Sequence, residues 1–153
     1  MAEGPDGHEG LKARGSPVAA VLCSPSMRHP VSSALAPAPA GPYAQGIVAA
    51  GPFVFLSGQL PFDPSTGALA GDTFAVQAAR VFDHLGQLLV SAGSSWSQVV
   101  RLGVFLADLR DYAELNDISR RYVVAPYPAR TCAQSMLPPG VLLEVDCIAQ
   151  VGG

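Results

Sequence analysis

Val141-Leu142-Leu143-Glu144-Val145-Asp146-Cys147-Ile148-Ala149-Gln150-Val151 alternates with period two. Successive side chains of a strand point to opposite faces. Val141, Leu143, Val145, Cys147, Ala149 and Val151 therefore make one apolar face. Leu142, Glu144, Asp146, Ile148 and Gln150 make the other, which mixes Leu and Ile with carboxylates. The first face suits packing beneath helices. The second calls for a different cover.

Reading upstream, Pro138-Pro139-Gly140 is a turn, and residues 129–136 read as another strand. Pro126 and Pro128 stop a helix that carries Tyr112, Leu115, Ile118 and Tyr122 on one face. Asp108 as its N-cap, with Asp111 three residues on, favours its start. Val99–Leu106 is a β-rich run. A longer helix precedes it, with Phe74, Ala78, Val81, Phe82, Leu85, Leu88 and Leu89 on one stripe. Asp72 or Thr73 caps that helix and Gly93 ends it. Asp63-Pro64-Ser65-Thr66-Gly67 is a turn. Gly46–Ala50 and residues 53–57 read as a hairpin around Ala50-Gly51-Pro52. Residues 31–35 read as a short edge strand.

The order is β-β-β-α-β-α-β-β, an α+β sandwich of about six strands in a mixed sheet, with two helices on one face. Two helices cover only one face of such a sheet. The other is expected to meet another subunit, because an apolar face that large is rarely left to solvent.

Composition bounds the function. The 153 residues are 49% hydrophobic and 14% charged, which excludes a wholly disordered chain. Nine basic residues face twelve acidic ones, and no basic stripe exists, so a dedicated nucleic-acid binder is disfavoured. Residues 1–42 hold 7 of the 14 prolines and 5 of the 16 glycines. Residues 1–30 are therefore expected to be a disordered N-terminal extension ahead of a domain over 31–153, and Met27 is a candidate start. The apolar run at 18–23 is far shorter than the ~20 residues of a membrane span. Glu3, Asp6 and Glu9 do not suit a targeting peptide. Cys23, Cys132 and Cys147 are odd in number and form no CxxC or Cys/His cluster. The expectation is a soluble protein of the reducing cytoplasm, with no metal, and with Cys132 and Cys147 as small buried hydrophobes.

Few residues carry chemistry. Arg130 lies in Pro128-Ala129-Arg130-Thr131-Cys132, a cation among apolar strand neighbours that needs a partner. It either holds a ligand carboxylate by two parallel hydrogen bonds or pairs internally with Glu144 or Asp146. Glu144 either holds and deprotonates a water or faces solvent on an edge. Tyr43, in Gly41-Pro42-Tyr43-Ala44-Gln45-Gly46, either plugs a loop or walls a pocket. Ser57 has no nucleophile elbow and no His base, so a hydrolase nucleophile is disfavoured. Gly58 beside it lets backbone approach a ligand or another chain closely. Asn116 reads as a solvated mid-helix residue, and His84 as a surface or boundary one.

Taken together, these fragments resemble the YjgF/RidA family of reactive intermediate deaminases. The strings are Gly41-Pro42-Tyr43-Ala44-Gln45-Gly46, Leu56-Ser57-Gly58-Gln59-Leu60-Pro61, Val104-Phe105-Leu106-Ala107-Asp108-Leu109, Pro128-Ala129-Arg130-Thr131-Cys132 and Leu143-Glu144-Val145-Asp146-Cys147-Ile148-Ala149. They run in order over residues 31–151. The resemblance implies a chorismate-mutase-like fold and a homotrimer with sites between neighbouring subunits. It implies hydrolysis of enamines and imines, such as 2-aminoacrylate and 2-iminopropionate, to a 2-keto acid and ammonia, with no cofactor. Carried over residue by residue, Arg130 grips the substrate carboxylate and Glu144 activates the water. Tyr43 and Ser57 line the pocket, and the backbone around Cys132 bonds the substrate nitrogen or the water. Asn116 matches a polar position. Ala44 stands where many members have Ser. The alternatives are a non-enzymatic metabolite-binding or protective module, and an endoribonuclease or translation inhibitor.

Overall fold

The structure is a computed structural model that describes residues 27–152. Most of the extension expected over 1–30, and Cys23 with it, lies outside the described residues. Six strands and two helices follow in the expected order. They are β1 (Met27–Val31), β2 (Gly46–Ala50), β3 (Phe53–Gln59), α1 (Phe74–Ser91), β4 (Val99–Leu106), α2 (Tyr112–Ser119), β5 (Ala129–Gln134) and β6 (Leu143–Gln150). Short 3-10 turns precede β4 and α2. No described helix is long and apolar enough to cross a membrane.

The strands divide between two sheets rather than one. β1 and β2 form an antiparallel ladder of their own. The other four form a mixed sheet in the order β3-β6-β4-β5, antiparallel except for the β4/β5 pair. β2 and β3 are therefore not the expected hairpin. Gly51 sits at φ +120°, where a side chain is strained, and Pro52 has no N–H to donate. The chain leaves one ladder at this corner and enters the other. Gln150 secures the exit, its Nε2 donating to the Ala50 carbonyl at 2.5 Å. Val151 N donates to the Pro52 carbonyl at 2.9 Å, laying β3 along β6.

Other expectations shift. The first strand is Met27–Val31, not 31–35, because Gly46 to Ala50 pair with the residues before Ser32. β5 and β6 are not neighbours, since β4 lies between them. A parallel β4/β5 pair needs a crossover connection, and α2 supplies it. α2 ends at Ser119, well before Pro126. Tyr122 stands beyond it, yet its ring still stacks on Phe82, with centroids 4.9 Å apart.

Both helices lie on one face of the four-stranded sheet. α1 buries Phe74, Gln77, Ala78, Val81, Phe82, Leu85 and Leu89, while Leu88 stays 36% exposed on its flank. α2 buries Leu115 and Ile118. Beneath them, Leu143, Val145, Cys147 and Ala149 of β6 are fully buried, on the face that alternation assigned to the helices. Burying a Leu or Val side chain contributes roughly 1.5–3 kcal/mol. The open face carries Phe55, 72% exposed, along with Glu144 and Asp146.

Candidate functional site

Arg130 is the second residue of the edge strand β5. Register places it opposite Leu102, and Cys132 opposite Val104. Across β4, Leu102 and Val104 oppose Cys147 and Val145. Directly opposed residues share a face, so Arg130 lies on the helix side. There α2 meets it. Arg130 Nη2 donates to Asn116 Oδ1 at 2.7 Å and to Tyr112 Oη at 3.1 Å. Asn116 is 7% exposed and is not the solvated residue expected from its helical position.

Two aromatic rings complete the surround. The guanidinium carbon lies 4.8 Å from the Tyr43 ring centroid and 5.4 Å from that of Tyr112. Such cation–π contacts contribute about 0.5–2 kcal/mol, more as water is excluded. Tyr43 reaches this place because Ala44 N donates to the Pro128 carbonyl at 2.8 Å, tying the loop to the start of β5. Gly41 is needed beside it. A Cβ there would stand 2.7 Å from Asn116 Oδ1 and 3.0 Å from Arg130 Nη2.

No acidic side chain pairs with Arg130 among the described residues, so the internal ion pair with Glu144 or Asp146 is not made. Asp146 pairs instead with Arg101, at 3.0 Å. Arg130 Nη1 is buried without a hydrogen-bond partner. Cys132 lies one step along the same face, half-buried. Burial raises its thiol pKa, and the Arg130 charge pulls partly the other way.

Glu144 lies elsewhere. It opposes Phe105 on β4, one register step out of phase with Leu102 and Val104. Its side chain is therefore on the open face, across the sheet from Arg130. Gly58 makes room for it, since a Cβ at position 58 would collide with the Glu144 carboxylate. The β3/β6 register shifts at this point, where Leu56 opposes Cys147 but Gln59 opposes Val145. The extra residue is a bulge, a device that re-aims local side chains. Ser57 sits in it, exposed, on the Glu144 side.

The fold thus brings Arg130, Tyr43, Asn116 and Cys132 to one side, and Ser57 and Glu144 to the other. Tyr112 was read only as a core-facing helix residue, yet it holds Arg130. Its spacing of four from Asn116 was the available signal, because such pairs share a helix face. His84 is half-buried on α1, its Nε2 without a partner, and it takes no part in either group. Among the described residues, no group of three or more His, Cys, Asp or Glu is placed to hold a metal ion.

Comparison with known proteins matches residues 33–151 to a family profile described as Endoribonuclease L-PSP. A RutC family protein of Synechocystis is 44% identical over 122 residues, covering 78% of this chain and 93% of that protein. A protein of Bos taurus named 2-iminobutanoate/2-iminopropanoate deaminase is 35% identical over 127 residues, 82% of this chain and 92% of its own. The crystal structure of RidA from an Antarctic Psychrobacter superposes with a TM-score of 0.62 at 38% identity, covering 80% of this chain and 99% of that one.

Proposed function

This chain belongs to the YjgF/RidA family, and from that premise we propose that it hydrolyses reactive 2-imino acids and their enamine tautomers. The products are a 2-keto acid and ammonia. The observation that carries this reading is Arg130. One guanidinium nitrogen is occupied by Asn116 and Tyr112, and Nη1 is buried with no partner. A buried donor left unsatisfied costs about 1–3 kcal/mol, and a substrate carboxylate would relieve that cost with charge-assisted bonds. The deaminase named in Bos taurus supports the substrate class.

In this proposal the carboxylate docks on Arg130 between the Tyr43 and Tyr112 rings. Asn116 fixes the guanidinium, and the backbone near Cys132 bonds the imine nitrogen. Glu144 of a neighbouring copy, with Ser57 beside it, takes a proton from water as the oxygen adds to the imine carbon. The C=N electron pair moves to nitrogen. Glu144 returns that proton to nitrogen, which gives a carbinolamine. It then carries the hydroxyl proton to the same nitrogen, and the O–H electron pair forms the carbonyl as the C–N bond breaks and ammonia leaves. No covalent nucleophile is required, because an imine carbon is already electrophilic. The task is mostly one of positioning.

Glu144 must come from another copy because the sheet separates it from Arg130 within one chain. We assign the open face, with exposed Phe55 and the Arg101–Asp146 pair, to contacts in a homotrimer. Cys132 and Cys147 are free thiols, which supports a reducing, cytoplasmic setting.

The test is ammonia and 2-keto acid release from 2-aminoacrylate generated in situ, comparing wild type with Arg130→Ala. Acceleration over the spontaneous rate that falls at least about tenfold in the variant is expected. A folded wild type with no acceleration refutes the reading. The family profile's description favours a second reading, RNA cleavage. A ribonuclease activity that follows the oligomer peak and is lost in Arg130→Ala would replace the first.

A further inference from the structure

We propose that Gln45 is a positioning residue for the Arg130 pocket, acting as the latch of the loop that presents Gly41 and Tyr43. The inference rests on Arg130 being an anion-binding group, as argued above. Residues 32–40 are all exposed and contribute nothing to the core. Burial does not hold this loop in place. Three of its backbone carbonyls converge on one amide instead. Gln45 Nε2 lies 3.2 Å from Ser33 O, 3.1 Å from Ala36 O and 2.8 Å from Pro37 O. Its Oε1 accepts from Ser33 N at 2.6 Å. A primary amide matches this need, since it offers donors and an acceptor at one end of a side chain.

The loop so held does two things at the pocket. Ala40 N donates to Tyr43 Oη at 3.0 Å, which orients the ring lying under the guanidinium. Gly41 follows directly and packs against Asn116 and Arg130. The same segment walls a cavity of about 610 Å³ with Ala34, Ala36, Ala38 and Pro39. The Ala44 anchor on β5 fixes only the C-terminal end of the loop. The β1/β2 ladder holds its start at Val31, and Ala40 N holds its end to Tyr43. Between them, without Gln45, residues 32–39 keep only their own short turns (Ala36 N to Ser33 O, Leu35 N to Ser33 Oγ). Gln45 touches neither Arg130 nor the reacting atoms. Its effect falls on how tightly the carboxylate is held.

The experiment uses the full chain with Gln45→Met, which keeps side-chain length and removes every one of these bonds. Gln45→Glu keeps the acceptor for Ser33 N but sets a carboxylate oxygen against three carbonyls. Three quantities are read: amide exchange at Ser33 and Ala40 by NMR, the Kd of pyruvate as a carboxylate probe, and KM and kcat for imine hydrolysis. The Ser33 amide should exchange faster in Gln45→Met, and the Ala40 amide in both variants. The pyruvate Kd and KM should rise about tenfold, while kcat stays within about twofold. A merely structural role would lower Tm and the active fraction, and so kcat, at unchanged KM. Unchanged exchange, or faster exchange with unchanged Kd and KM, overturns the proposal. A wild type that binds pyruvate but hydrolyses no imine refutes the deaminase alone. The exchange and Kd measurements then still decide Gln45.

Discussion

The separation of Arg130 and Glu144 across the sheet predicts complementation between two inactive variants, Arg130→Ala and Glu144→Gln. The distance follows from register. Arg130 opposes Leu102 and Glu144 opposes Phe105, three residues further along β4, with β4 between their strands. At about 3.3 Å per residue and 4.8 Å per strand, their Cα atoms lie ~14 Å apart. The side chains then diverge to opposite faces. Reacting groups must meet at about 3–3.5 Å, so one chain cannot supply both. Each variant alone should lose most activity, at least about tenfold for Arg130→Ala and on the order of 10²–10⁴ for Glu144→Gln. Random co-assembly changes this. If a site takes Arg130 from one copy and Glu144 from its neighbour, about a quarter of the sites receive both intact residues, whatever the ring size. The assay is imine hydrolysis by co-expressed variants carrying different tags, with mixed oligomers verified by native mass spectrometry. Recovery to about a quarter of wild-type activity is expected. A control mixes wild type with the doubly substituted chain. A shared site again predicts about a quarter, whereas a site within one chain predicts about a half. Mixed oligomers no more active than either parent, or a control at one half, would place Arg130 and Glu144 in separate sites or in one chain's site.

Three further outcomes follow from single observations. Gly58→Ala places a methyl where the Glu144 carboxylate sits, so kcat should fall on the order of 10²–10³ with KM little changed. Wild-type kcat in that variant would remove Glu144 from the reaction. Phe82→Ala empties a fully buried site between Tyr122 and Trp96 and should cost ~3–5 kcal/mol by urea denaturation. A loss below about 1 kcal/mol would contradict the packing described. Burial, and then the Asp146 charge, push the Cys147 thiol from 9.0 up to about 12. A group whose pKa is raised by folding stabilises fully below its unfolded value and loses that contribution as pH rises through the folded one. Tm should therefore decline between pH 9.0 and about 12, and Cys147→Val should blunt the decline. Identical alkaline profiles would show that the thiol does not contribute.

Much of this was readable in local patterns. The period-two run of β6 named its buried face before any partner was known, because pleating ties side-chain direction to residue number. The stripe on α1 was legible for the same reason, apart from Leu88, which stays 36% exposed on its flank. Val99–Leu106 matched its strand residue for residue. The hairpin reading of Gly46–Ala50 failed because a turn signal says where a chain bends, not which ladder it joins afterwards. The Gln150 bond to Ala50, a hundred residues away, settled that.

The candidate site divides along the same line. Residue type identified Arg130 and Glu144, since a cation and a carboxylate inside apolar strands demand partners wherever they fold. Local patterns give the element order, the helix-facing side of β6, and the charged groups that need an explanation. Their partners follow from the packed fold. Asn116 and Tyr112, rather than Glu144 or Asp146, meet the guanidinium, and Arg130 and Glu144 stand on opposite faces. Local alternation settles which residues of a strand share a face, whereas strand order and register between segments far apart in the chain settle what that face meets. A shift of one residue in that register would exchange the faces.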